Sequence, residues 1–345
     1  MTVALAERDP VVAPEHLVSL LQPPPRFADV RFQTYIPDPE HPSQAAAVAA
    51  GEAFATRPPS SKRRFFRSSP PEQRPGIYFD GGFGVGKTHL LASLWHADPG
   101  PKVFGTFVEY TNLVGALGFA AAAEQLSSYS LVCIDEFELD DPGDTVLMST
   151  LMQKLADAGS RIGATSNTLP DRLGEGRFAA EDFLREIQGM SAKFDVIRVD
   201  GEDYRHRGLP DAPPPASNEK VMASAEESVR RLGTEAVSLD AFADLLAHLR
   251  QVHPSRYGPL LAGIETVHLT NVRPVTDQAD ALRIVVLVDR LYDRDVPVVA
   301  SGIAVDKIFA PDMLAGGYRK KYFRAVSRLV ALTREGSGVA EPGSA

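Results

Sequence analysis

Short, almost wholly apolar runs recur along the first part of the chain: Ile77-Tyr78-Phe79, Val103 to Tyr110, Leu131-Val132-Cys133-Ile134, Ile162 to Thr165 and Phe194 to Val199. Between them lie longer stretches with helix-like apolar content, such as Leu90-Leu91-Ala92-Ser93-Leu94-Trp95. A strand that alternated apolar and polar residues would have one wet face, whereas continuous apolar runs suit strands buried on both faces. The alternation of strand and helix therefore predicts an α/β block over residues 27–207, with a parallel sheet sandwiched by helices.

After this block, Gly208 to Ser217 is rich in proline and predicts a stiffened linker or exposed loop over 208–218. A second α/β portion is expected over 219–333. Shifting the chain by 136 residues without gaps sets Leu151, Leu155, Asp157 and Ala164 on Leu287, Leu291, Asp293 and Ala300, and Asp141 and Asp144 on Asp277 and Asp280. Strand, helix and strand recur in the same order, so the second portion is a candidate degenerate repeat of the core. Residues 1–26 and 334–345 lack a periodic apolar pattern and are expected to be disordered.

The loop after Phe79 carries the candidate chemistry. Gly81-Gly82-Phe83-Gly84-Val85-Gly86-Lys87-Thr88 stands between a predicted strand and a predicted helix, the context of a phosphate-binding loop. Its glycines let backbone N–H groups turn inward, and the following helix presents its positive end to an anion. Lys87 is suited to the β and γ phosphates of ATP, and the Thr88 hydroxyl to a Mg²⁺ ion.

Hydrolysis needs a second set of groups. The apolar run 131–134 ends in Asp135-Glu136-Phe137, two acids at a strand's carboxyl end. Asp135 is expected to hold Mg²⁺ and Glu136, on the other side of the pleat, to polarise the attacking water. Asn167, closing the run 161–167, could sense the γ-phosphate or hold that water, although Asn is also a common turn former. Under the shift of 136, Asp135 and Glu136 fall on Asn271 and Val272, so one ATP site per chain is expected.

Composition narrows the alternatives. The 345 residues are 44% hydrophobic and 23% charged with net charge −9, which disfavours broad nonspecific binding to nucleic acid. Lys62-Arg63-Arg64-Phe65-Phe66-Arg67 is a local exception that could meet single strands or an acidic partner, or serve as a solvated segment anchored by its phenylalanines. No run of apolar residues is long enough to span a membrane and no secretory or transit pattern opens the chain, so a cytoplasmic location is expected. The single cysteine, Cys133, sits inside a predicted strand and reads as a small buried residue.

Together these motifs resemble the ZapE/AFG-one-like family of AAA-type ATPases. Asp135-Glu136-Phe137, Thr165-Ser166-Asn167 with Pro170 after it, Gly201-Glu202-Asp203-Tyr204-Arg205, Arg290-Leu291-Tyr292-Asp293 and Arg324 to Leu329 follow the family's blocks in order, over residues 32–332. The resemblance implies an AAA+/ASCE P-loop ATPase acting as a homo-oligomer. It also implies, for bacterial members, a partner in the tubulin-like protein of the division ring. Two departures limit the transfer: a histidine-rich stretch after the second strand is replaced by residues 104–110, and the arginine before the family's F-L-P element is missing. Arg177 or Arg185 is left as arginine finger, and Arg324 or Arg328 as sensor. A DNA-associated loader of the helicase-loading type shares this architecture and stands as the alternative.

Overall fold

The computed structural model describes residues 2–10, 16–57, 74–82, 84–139, 142–173, 183–201 and 211–338. Two compact units divide the chain, one formed by residues 13–206 and the other by residues 1–12 with 207–345.

In the first unit, α1 (Pro42–Ala55) precedes β1 (Gly76–Gly81), α2 (Lys87–Ala97), β2 (Lys102–Thr106), α3 (Phe107–Leu117) and α4 (Phe119–Leu126). Then come β3 (Leu131–Asp135), α5 (Pro142–Ala158), β4 (Arg161–Ser166), α6 (Leu184–Ser191) and β5 (Phe194–Val199). All strands run parallel in the order β2-β3-β4-β1-β5. The pleat sorts the apolar runs between two cores. Tyr78, Val132, Ile134, Ile162 and Ala164 face α3 to α6, while Ile77, Phe79, Leu131 and Cys133 face α1 and α2. Burial on both sides is why these strands lack polar alternation. This is the P-loop NTPase fold, with strand β4 inserted between the P-loop strand β1 and the acid-bearing strand β3.

The predicted strand from Val103 to Tyr110 ends early. Thr106 and Glu109 form a reciprocal capping box, the Thr106 amide donating to the Glu109 carboxylate at 2.7 Å, so the chain turns helical at Phe107. A local cap outweighed a β-prone run of Phe, Val and Tyr.

The second unit contains α7 (Asn218–Leu232), β6 (Val237–Ala241), α8 (Phe242–Leu249), α9 (Tyr257–Leu260), β7 (Thr266–Val272), α10 (Gln278–Tyr292), β8 (Val298–Gly302) and α11 (Arg319–Ser337). Its three parallel strands lie in the order β6-β7-β8. The expected disorder of residues 1–26 is corrected for their described part. Val3 exchanges backbone hydrogen bonds with the β6 edge, its amide to the Val237 carbonyl and the Leu239 amide to its own carbonyl, and Leu5 is fully buried in this unit's core. Val18 and Leu21 are buried in the first unit, where the Leu21 carbonyl accepts from Phe104. One or two residues docking on an edge leave no periodic signal, and so escape a pattern search. At the other end, α11 runs to Ser337, past the expected limit of 333. A Cβ on Gly336 would meet the Val298 backbone at 2.3 Å, so the glycine allows that close approach.

The two sheets share geometric details. Lys102 pairs with Leu131 and Val237 with Thr266, at the same sequence separation. The residue beyond β3's metal-candidate acid, Glu136, has φ 53°, and Asn271 near the end of β7 has φ 57°. Helix α2 crosses β1 to β4 in one unit as α7 crosses β6 to β8 in the other. These pairings set Asn271 opposite Glu136 and Thr270 opposite Asp135, a shift one residue shorter than the ungapped alignment at this strand. The shift of 136 holds for α5 against α10, which begin at Pro142 and Gln278.

Candidate active site

The loop between β1 and α2 needs its glycines at specific points. Gly84 and Gly86 have φ of 78° and 83°, and a Cβ on Gly81 would lie 2.2 Å from the Val199 carbonyl oxygen. Gly86 caps α2 in the left-handed conformation with no side-chain cap, so the first-turn amides of α2 face the loop's concavity. Beneath the loop, Asp80 is buried and paired with Arg198 on the adjacent strand β5.

Four of the residues expected from the sequence meet at the carboxyl ends of β1, β3 and β4. Lys87 Nζ donates to the carbonyls of Gly81 at 2.9 Å and Gly82 at 2.5 Å, and to Asn167 Oδ1 at 2.8 Å. Thr88 Oγ1 lies 3.1 and 3.2 Å from the two carboxylate oxygens of Asp135, which is only 6% exposed. A hydroxyl and one buried carboxylate form a hard-oxygen pair that fits Mg²⁺, an ion that keeps its remaining positions for water and phosphate. The described residues contain no cluster of three or more His, Cys, Asp or Glu side chains suited to a metal.

Glu136 follows directly in the left-handed conformation, half-buried, with its N–H donating to Thr165 Oγ1 at 3.0 Å. Phe137 anchors the segment. Its amide donates to the Thr165 carbonyl at 2.7 Å and its ring packs edge-on against Tyr78 and Phe107. Asn167 is held by its successor, since the Thr168 carbonyl accepts from the buried Tyr78 hydroxyl at 2.7 Å and the Thr168 amide donates to Ser166.

Two further contributors had no role assigned from the sequence, Tyr35 and, within the Thr165-Ser166-Asn167 block, Thr165. Tyr35 donates to the Val85 carbonyl at 2.6 Å, with its ring where a Gly86 Cβ would fall, and burial pushes its hydroxyl up to about pKa 12. Thr165 shares a pleat face with Asn167, and that period of two was the signal available for it. Of the arginines, Arg185 is exposed on α6, while Arg177, like Phe83 and the Lys62–Arg67 segment, lies outside the described residues. Arg324 and Arg328 belong to the second unit, where both guanidiniums bond the Asp289 carboxylate, at 2.6 and 2.5 Å. That pairing gives both arginines a structural role between α10 and α11.

The model of the AFG1-like ATPase family matches residues 11–337. The chain belongs to this family. It is 28% identical over 299 residues to the cell division protein ZapE of Escherichia coli K12, a match that covers 75% of this chain and 78% of that protein. An uncharacterized protein of Schizosaccharomyces pombe is 29% identical over 154 residues, covering 39% and 34% of the two chains. Among solved structures, domain III of the Thermotoga maritima replication initiation protein DnaA aligns over 66% of this chain and 97% of its own, with 16% identity and a TM-score of 0.40. The DnaC helicase loader aligns over 51% and 99%, with 16% identity and a TM-score of 0.34. The fold rests on the sheet order and loop geometry above. Family and fold make the chain a P-loop ATPase.

Proposed function

We propose that this family member hydrolyses ATP to ADP and phosphate at one Mg²⁺-dependent site per chain. The observation that carries this reading is the convergence of Lys87, Thr88, Asp135 and Asn167 at the carboxyl ends of β1, β3 and β4, with Glu136 next to Asp135. The amides of the phosphate loop's described residues cradle the phosphates and Lys87 exchanges its loop carbonyls for phosphate oxygens. Thr88 and Asp135 hold Mg²⁺, which supplies charge neutralisation on the phosphates. Glu136 orients and polarises the attacking water, and Asn167 senses the γ-phosphate or holds that water. An arginine finger, Arg177 or Arg185, comes from a neighbouring subunit of a homo-oligomer.

Phosphate release, measured with Mg²⁺ or EDTA over a range of protein concentrations, tests this. The expected result is release that needs Mg²⁺, rises per subunit with concentration and falls about 10²-fold or more in Glu136→Gln. A wild-type protein that binds ATP but never releases phosphate contradicts it, and a rate per subunit flat down to monomer removes the finger.

Kinship with the cell division protein ZapE supports a division-related task; a cytoplasmic location and the tubulin-like ring protein as partner are proposed with it, the partner as the family resemblance implies. No helix among the described residues is long and apolar enough to cross a membrane. Recovery of ring protein with Glu136→Gln in ATP is expected. Recovery of nucleic acid instead would favour the loader reading, whose basic segment is not among the described residues. The second unit reads as a degenerate copy of part of the core, supported by β6-β7-β8 following the order of β2-β3-β4 and by the equal separation of the β2–β3 and β6–β7 partners.

A further inference from the structure

We propose that Thr165 is a positioning residue that fixes both acids of the hydrolytic site through one hydroxyl. This rests on the ATPase reading above. Thr165 Oγ1 donates to Asp135 Oδ1 at 2.5 Å and accepts the Glu136 N–H at 3.0 Å. The hydroxyl has one proton and two lone pairs, so the directions are determined: a carboxylate can only accept and an amide can only donate. Thr165 is 1% exposed and Asp135 6%, so water does not substitute for either bond.

Each bond answers a need of the site. Thr88 Oγ1 spans both oxygens of Asp135 at 3.1 to 3.2 Å, so its bond alone leaves the carboxylate free to rotate about that contact. The bond from Thr165 to Oδ1 removes that freedom and leaves Oδ2 as the edge available to a metal or its water. Glu136 sits at φ 53°, a left-handed conformation that is strained for a non-glycine residue. Its amide must be held there, or the backbone relaxes and carries the carboxylate away from the phosphate loop.

The second unit separates these two duties. Asn271, at φ 57°, donates its N–H to Ser301 Oγ at 3.0 Å, the same brace from the neighbouring strand. There the hydroxyl's proton goes to the Asn218 side chain at 2.5 Å instead of a carboxylate. The amide brace therefore accompanies the left-handed residue in both sheets, and the bond to a buried acid is what the first unit adds.

The variants Thr165→Val, nearly isosteric but without the hydroxyl, and Thr165→Ser test this. A fluorescent ATP analogue is titrated with EDTA and with Mg²⁺, and phosphate release is followed alongside. In Thr165→Val, affinity in EDTA is expected to stay within about twofold of wild type, the gain in affinity on adding Mg²⁺ to shrink several-fold and kcat to fall about tenfold or more. Thr165→Ser restores both. Unchanged Mg²⁺ linkage and kcat in the valine variant overturn the proposal, as does a serine variant as impaired as valine. If Thr165→Val loses its far-UV signal, Thr165→Ala provides the same readouts without added bulk. A wild-type protein that binds the analogue with Mg²⁺ linkage but releases no phosphate rejects the ATPase reading, while the linkage arm still judges Thr165.

Discussion

Gly86 does two things at once. Its φ of 83° turns the phosphate loop into α2, and its missing Cβ leaves the space in which the Tyr35 ring lies, 2.4 Å from where that Cβ would be. Tyr35 in turn holds the Val85 carbonyl and stacks edge-on with His89 one turn into α2, whose ring also contacts Thr34 Oγ1. The loop is thus braced from outside by a segment about fifty residues upstream, which pre-organises its amides before any phosphate arrives. With its pKa near 12, the Tyr35 hydroxyl stays a donor throughout the physiological range. Tyr35→Phe keeps the ring and removes one hydrogen bond, worth about 1 kcal/mol. Isothermal titration should show ATP binding weakened about fivefold, with kcat within about twofold. Unaltered affinity would mean that the loop holds its shape without this brace. None of this was visible in the motif, because a phosphate loop is local in sequence whereas Tyr35 and Thr165 reach the site only through the fold.

At the level of elements, what the sequence disclosed follows from burial. Strands β1 and β3 each fill both cores and so stand out as apolar runs, and Asp135 and Glu136 are conspicuous as acids ending one of them. The boundary between β2 and α3 was hidden because Thr106 and Glu109 decide it through a cap inside a β-prone run. The pairing of the α11 arginines was equally hidden, since an arginine's partner cannot be read from sequence; both bond Asp289 on α10. Burial works to raise its pKa, but the guanidiniums of Arg324 and Arg328 prevail and hold it below the ordinary carboxylate value. A carboxyl depressed on folding contributes stability that is present above its unfolded pKa and is lost as pH falls through the folded one. Thermal unfolding should therefore lose stability below about pH 4, and Asp289→Asn should destabilise the protein by about 3 kcal/mol at neutral pH while flattening that acid dependence. A variant as stable as wild type at pH 7 would show that the clamp between α10 and α11 is dispensable.

For the molecule as a whole, the β2-β3-β4 part of one sheet and the three strands β6-β7-β8 of the other follow the same order but carry different chemistry at their carboxyl edges. One ends in Asp135 and Glu136 beside a phosphate loop. The other has Thr270 and Asn271 in the corresponding places, with Asn218 hydrogen-bonded to Asn271 and Ser301. The neutral set supplies no carboxylate for a metal and no base for water, so the chain is expected to carry one nucleotide where the fold offers two comparable edges. Calorimetric titration of Glu136→Gln with ATP and Mg²⁺ measures this most directly, because binding is then read without turnover. We expect one ATP per chain, abolished by Lys87→Ala in the same background. Two ATP per chain, or binding that survives Lys87→Ala, would contradict a single site built on the loop from Gly81 to Thr88.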